Sequence, residues 1–133
     1  MIIKLLQAKL HRVVVTRADL HYEGSCGIDE TLLDKSGIRE FQHIDIYDVD
    51  NGERFTTYVI KSSRGSGEIC LNGAAARKVM IGDRLIIAAY SDYDEAELAG
   101  YRPVVVIVDD NNRPRAPLPA SDSYASAFAA RKG

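Results

Sequence analysis

Ile44-Asp45-Ile46-Tyr47-Asp48-Val49, then Asn51-Gly52, then Arg54-Phe55-Thr56-Thr57-Tyr58-Val59-Ile60 is the stretch that decides the fold class. The first segment alternates apolar and polar residues strictly, the period of a half-buried strand. Asn-Gly accepts the positive φ angles of a tight hairpin turn. The return segment is rich in β-branched and aromatic residues, which pack well on a pleated surface. One β-hairpin is therefore written into residues 44–60.

Outward from the hairpin, further short strands are expected. Residues 2–6 and 10–16 are rich in Ile, Leu and Val, and 69–71, 83–89 and 104–108 are apolar runs of strand length. Helical inserts are expected at 29–37, where Asp29 can cap and Gly37 can stop the helix, at 74–79, and in the acidic segment 92–98. Many short strands in one small domain point to a closed or nearly closed β-barrel, which removes exposed strand edges. Residues 1–111 read as the barrel domain. Residues 112–133 hold three of the four prolines and a Ser/Ala-rich run, and read as a flexible C-terminal tail.

Composition narrows the function. The chain has 133 residues, 46% apolar and 27% charged, with a formal net charge of −2. That balance gives no bulk electrostatic case for nucleic acid or an anionic membrane. Apolar runs fall well short of the ~20 residues of a membrane span, and lysines interrupt the N-terminal apolar stretch, so a cytoplasmic protein is expected. Cys26 and Cys70 are expected as free thiols. The sequence contains no CxxC, HExxH, GxxxxGK[ST] or GxSxG pattern. With three histidines and no carboxylate cluster at ligand spacing along the chain, no metal site is expected.

The segment that carries chemistry is Tyr22-Glu23-Gly24-Ser25-Cys26-Gly27. Glycine lets the backbone bend so that a following serine hydroxyl can reach the preceding carbonyl. Attack there converts the Gly24–Ser25 amide to an ester. β-Elimination then splits the chain into 1–24 and 25–133, and hydrolysis leaves a pyruvoyl group on the second chain. The route needs a well-held backbone and a donor to the transient oxyanion, for which Tyr22 and Thr57 are candidates. Taken alone, Gly-Ser is a common turn element, and Arg64-Gly65-Ser66-Gly67 is assigned no chemistry.

The surroundings add weight. Leu10-His11-Arg12, Ala18-Asp19-Leu20-His21-Tyr22-Glu23-Gly24-Ser25-Cys26, Asn51-Gly52-Glu53-Arg54-Phe55-Thr56-Thr57-Tyr58, Arg64-Gly65-Ser66, Asn72-Gly73-Ala74-Ala75-Ala76 and Gly82-Asp83 appear in an order and spacing that resembles the pyruvoyl-dependent aspartate 1-decarboxylases. The likeness runs from Met1 to about Tyr90 and is weak beyond it. The resemblance implies a mainly β fold, a double-psi β-barrel with short helices. It also implies a homotetramer with active sites between subunits, and conversion of L-aspartate to β-alanine and CO2 for pantothenate synthesis. The cofactor would be a pyruvoyl group made from Ser25, with no metal and no pyridoxal phosphate.

Such a ketone forms a Schiff base with the substrate amine and accepts the electrons released when the α-carboxylate leaves. The resemblance implies Ser25 and Tyr58 as the catalytic residues, Tyr58 as proton donor. Lys9, Arg54, Thr57, Gly73, Ala74 and Ala75 are candidates for substrate binding, with Arg54 offering a planar fork to a carboxylate. Tyr22, Gly24, Ser25, Thr57 and Asn72 are candidates for self-processing. His11 is a candidate site wall and His21 a candidate support for the cleavage loop. Thr57 and Tyr58 are adjacent on a strand and face opposite ways, so serving one site needs a twist, a bulge or a subunit boundary. Two other hypotheses remain: a non-catalytic small β-barrel for binding or assembly, and a thiol enzyme built on Cys26.

Overall fold

The computed structural model describes residues 1–116. Eight strands form one mixed sheet: β1 Ile2–Val14, β2 Arg17–Asp19, β3 Ser25–Asp29, β4 His43–Asp48, β5 Arg54–Ser62, β6 Ile69–Asn72, β7 Arg84–Asp94 and β8 Val104–Ile107. Their order is β2-β6-β3-β5-β4-β7-β1-β8. Two residues join β1 to β2, although these strands stand six places apart in that order. A flat sheet would separate them by roughly 29 Å at about 4.8 Å per strand, whereas the connection spans at most roughly 11 Å. The sheet therefore curls until its ends meet. Hydrogen bonds close the seam: Val15 N donates to Asp83 O and Thr16 N to Ile69 O, both at 2.9 Å. Mixed pairings, the short seam crossing and small helical inserts make this the mainly β, double-psi β-barrel expected from the resemblance.

The hairpin forms as expected, with Ile44 opposite Thr57 and Ile46 opposite Phe55. Gly52 takes the left-handed conformation at the turn (φ 77°). Ile44 and Ile46 are buried with Leu10, Ile28, Leu71 and Ile87 in the barrel interior. The helix expected at 29–37 is α1, Glu30–Ser36, with Asp29 accepting from Thr31 N and Gly37 left-handed at its end.

Four expectations change. Residues 2–6 and 10–16 are not two strands; β1 runs through, absorbing the irregularity in bulges between Leu6 and Ala8 and between His11 and Val13. The segment 92–98 is not one helix, because β7 continues to Asp94, which then caps a 3₁₀ turn over Glu95–Gly100. Residues 25–29 carry no strand signal, yet β3 lies there, buried between β5 and β6. Residues 112–116, the first of the expected tail, sit on the barrel. Buried Asn112 accepts from Val14 N at 2.7 Å and donates to Val14 O and Gly67 O, both at 2.8 Å. Arg115 N donates to Ile107 O at 2.9 Å. The rest of the expected tail, 117–133, lies outside the described residues.

The Gly-Ser turn at 64–67, assigned no chemistry, has a structural task. Gly65 N and Gly67 N donate to Asp29 at 2.9 and 2.8 Å, fixing the end of β3. Burial alone would raise the Asp29 pKa, but these amides and Thr31 N outweigh it and hold the carboxyl below its usual range.

Asp48, Asp50 and Asp83 converge within 4.8 Å of one another, a cluster hidden from the sequence because Asp83 arrives from a distant turn. Buried Asp48 accepts from Asp50 N and Asn51 N through Oδ1, while its Oδ2 has no donor. Burial, and then the Asp83 carboxyl, push its pKa up to about 6. A raised carboxyl pKa favours the protonated fold: the contribution is complete below the unfolded value and is lost as pH rises through about 6. Asp48→Asn keeps the Oδ1 acceptor and offers an N–H to Asp83. Relative to the parent, its melting midpoint should rise at pH 7.5 and gain little at pH 4.5. Equal shifts at both pH values would remove the titration from Asp48.

Candidate active site

Ser25 opens β3, only 1% exposed, opposite Asn72 in the antiparallel pair with β6. The Asn72 amide nitrogen donates to Ser25 Oγ at 2.9 Å, and Ser25 Oγ donates to Glu23 O at 3.4 Å. Upstream, Asp19 holds a turn by accepting from His21 N at 3.1 Å and Tyr22 N at 3.4 Å. The Gly24–Ser25 bond thus joins a turned segment to a buried strand whose first side chain is tied in place.

Gly73 presses against this junction. Its φ is +67°, and a Cβ there would stand 2.8 Å from Gly24 Cα, 2.9 Å from Gly24 N and 3.0 Å from Tyr22 O. Only glycine fits such a backbone crossing. Gly73–Lys78 is a short 3₁₀ turn rather than an α-helix, and Asn72 does not cap it because its amide is turned to Ser25. An open cleft of about 310 Å³ lies alongside, lined by Gly24, Phe55, Thr57, Asn72, Ala74 and Ala75.

One chain thus brings together Gly24, Ser25, Thr57, Asn72, Gly73, Ala74 and Ala75. It does not bring Lys9, Arg54 or Tyr58 to that cleft. Tyr58 lies on the other face of β5 from Thr57, 38% exposed and opposite His43. Arg54 also points outward, its guanidinium 4.1 Å above the Tyr47 ring. The Tyr47 hydroxyl is 3.2 Å from that of Tyr90, a bond that pushes the Tyr90 pKa up to about 12. Lys9 is half-buried on β1, and burial lowers its pKa. Two residues on, His11 is lowered first by burial and then by the Lys9 charge, and its Nδ1 is buried without a hydrogen-bond partner. Tyr22 is exposed and borders a neighbouring groove with Asn72 and Cys70.

Both cysteines are free and buried. Burial pushes the Cys26 thiol well above its ordinary value, which leaves almost no thiolate and argues against a thiol enzyme. Cys70, expected only as a free thiol, donates through its Sγ to Asn72 Oδ1 at 3.1 Å. The signal was present: residues two apart on a strand share a face.

Fold and site define a small β-barrel in which a serine hydroxyl is buried at a Gly–Ser junction beside an open cleft. The sequence pattern of the aspartate decarboxylase family matches residues 1–115. Among curated proteins, an aspartate 1-decarboxylase of Bordetella pertussis is 63% identical over 109 residues, covering 82% of this chain and 89% of that one. One from Ralstonia nicotianae is 60% identical over 109 residues, covering 82% and 91%. Among solved structures, the rationally designed mkDPBB_sym_86 protein matches with TM-score 0.43 and 16% identity, over 59% of this chain and 91% of that one, a likeness too slight to argue from. The chain belongs to the aspartate decarboxylase family and is a carboxy-lyase. Among the described residues, no helix is long and apolar enough to cross a membrane.

Proposed function

We propose that the protein cuts its own Gly24–Ser25 bond and then converts L-aspartate to β-alanine and CO2, supplying β-alanine for pantothenate synthesis in the cytoplasm. The observation that carries the self-processing step is the buried Ser25 hydroxyl, held by Asn72 at a junction against which Gly73 is packed. Ser25 Oγ adds to the Gly24 carbonyl carbon, the C–N bond breaks, and an ester to Gly24 forms. Loss of the Ser25 α-proton expels the Gly24 carboxylate and leaves a dehydroalanine. Water then replaces its nitrogen, which departs as ammonia. The residues present fit a pyruvoyl group at position 25: the side chain that would become it is already anchored, and glycine at 73 leaves room for the Gly24 backbone that precedes it. When formed, that group supplies the electron sink for carboxylate loss.

The chain's own residues do the rest. Thr57, on the cleft wall, stabilises charge developing on the Gly24 carbonyl, with Tyr22 as a second donor. Gly73, Ala74 and Ala75 keep the cleft open to substrate. Lys9 and Arg54 hold carboxylates, and Tyr58 returns a proton to carbon. These last three lie away from the cleft of their own chain, which supports a homotetramer whose sites are completed across subunit boundaries.

Intact-protein mass spectrometry with an aspartate assay tests the proposal. The active form should comprise a piece ending at Gly24 and a larger chain without an N-terminal amine. An unbroken, aspartate-consuming chain would overturn it, and an unbroken, inactive one after heating would favour a binding module. Tyr58→Phe should leave splitting intact and lower turnover by roughly 100-fold or more, the scale of a lost general acid. Equal loss of both processes would make Tyr58 structural.

A further inference from the structure

We infer that Cys70 is a positioning residue for chain cleavage: its S–H fixes the orientation of the Asn72 side-chain amide, so that the NH2 end faces Ser25. The inference rests on the self-processing proposed above and extends it to a residue with no assigned role.

The geometry is a relay. Cys70 and Asn72 are two apart on β6 and both are buried. Cys70 Sγ lies 3.1 Å from Asn72 Oδ1, and Asn72 Nδ2 lies 2.9 Å from Ser25 Oγ. A side-chain amide has an acceptor end and a donor end, and a half-turn exchanges them. With the donor end toward Ser25, the serine oxygen accepts from Asn72 and its own hydrogen is free for Glu23 O, 3.4 Å away. With the acceptor end toward Ser25, the serine hydrogen would be drawn to Asn72 and the hydroxyl turned with it.

What selects between these orientations is the partner on the far side. A thiol that keeps its proton is a donor and calls for the oxygen. Burial raises the Cys70 pKa, outweighing the nearby Arg17 charge, so the proton stays on sulfur. The surrounding charged groups are Arg17, Glu68 and Asp19. Arg17 is paired with Glu68 at 3.6 Å.

The test compares splitting rates of freshly made precursor at one temperature, followed by intact mass, in the parent, Cys70→Val and Cys70→Ser. Valine keeps the bulk and removes the donor; serine restores a donor. The expected result is splitting slowed about tenfold in Cys70→Val, the scale of one hydrogen bond's contribution to a barrier. Cys70→Ser should be near the parent rate. In an Asn72→Ala background, Cys70→Val should slow splitting no further. If Cys70→Val does not fold, as judged by its melting midpoint, Cys70→Ala takes its place against Cys70→Ser. Parental splitting in Cys70→Val, a serine variant as slow as the valine one, or additive loss in the Asn72→Ala background would each overturn the relay. A parent chain that stays whole would instead overturn self-cleavage itself.

Discussion

Ser25→Ala is expected to yield a single uncut chain with decarboxylation reduced by at least about 1,000-fold, because alanine can neither attack the Gly24 carbonyl nor become an electron sink. The fold should survive. The substitution removes one oxygen from a buried position and leaves β3 paired with β5 and β6 through its backbone. The cost is the loss of the bonds to Asn72 and Glu23, about 1–3 kcal/mol with the Asn72 amide left unpaired, so the melting midpoint should fall by roughly 5–10 °C. Intact mass and β-alanine formation read the two effects separately. Full activity in an unbroken Ser25→Ala chain would show that residue 25 is not the source of the reactive group.

Gly73→Ala should have the second-largest effect, through backbone alone. An alanine at φ +67° costs about 1–2 kcal/mol in any protein. Here its Cβ would also stand 2.8 and 2.9 Å from Gly24 Cα and N, atoms that cannot rotate away. Either Gly24 moves off the serine it must present, or β6 shifts and carries Asn72 with it. Splitting should slow by roughly 100-fold or stop, since small misplacements of reacting groups cost that much. The melting midpoint should fall by about 10 °C. Gly52→Ala is the control: its φ is +77° but an added Cβ meets nothing within 4 Å. It should pay the conformational cost and split normally. Equal splitting in the two variants would mean that the Gly73 crossing does not position Gly24.

Much of the barrel is legible in the sequence. The Ile44–Ile60 hairpin carried its register in strict alternation and its turn in Asn51-Gly52. Helix α1 carried its start and stop in Asp29 and Gly37. These signals are local: each is a property of a few consecutive residues and their φ/ψ preferences. The strand at 25–29 was not legible, because Ser25-Cys26-Gly27 lacks strand propensity and is extended only by pairing on both sides. Asn112 was missed for the same reason. It sits among residues typical of a tail, and its burial comes from Val14 and Gly67, both distant in sequence.

The site divides the same way. Gly24-Ser25, Thr57 and Asn72-Gly73-Ala74-Ala75 were recognisable as a set of motifs, and their convergence around one cleft needed the barrel. Tyr58 and Thr57 were expected on opposite faces from strand alternation, and they are. Strand spacing puts Cys70 and Asn72 on one face, and the barrel turns Asn72 toward Ser25.

By itself, then, the sequence determined the strand-rich class, the hairpin register and the helix caps, because each is encoded in short-range conformational preference. The tertiary structure alone decided that the sheet closes on itself through two residues, that Asn72 meets Ser25 from another strand, and that Gly73 must remain glycine. Those contacts join residues far apart in the chain, and no local preference specifies which distant backbone will occupy the place a Cβ would take.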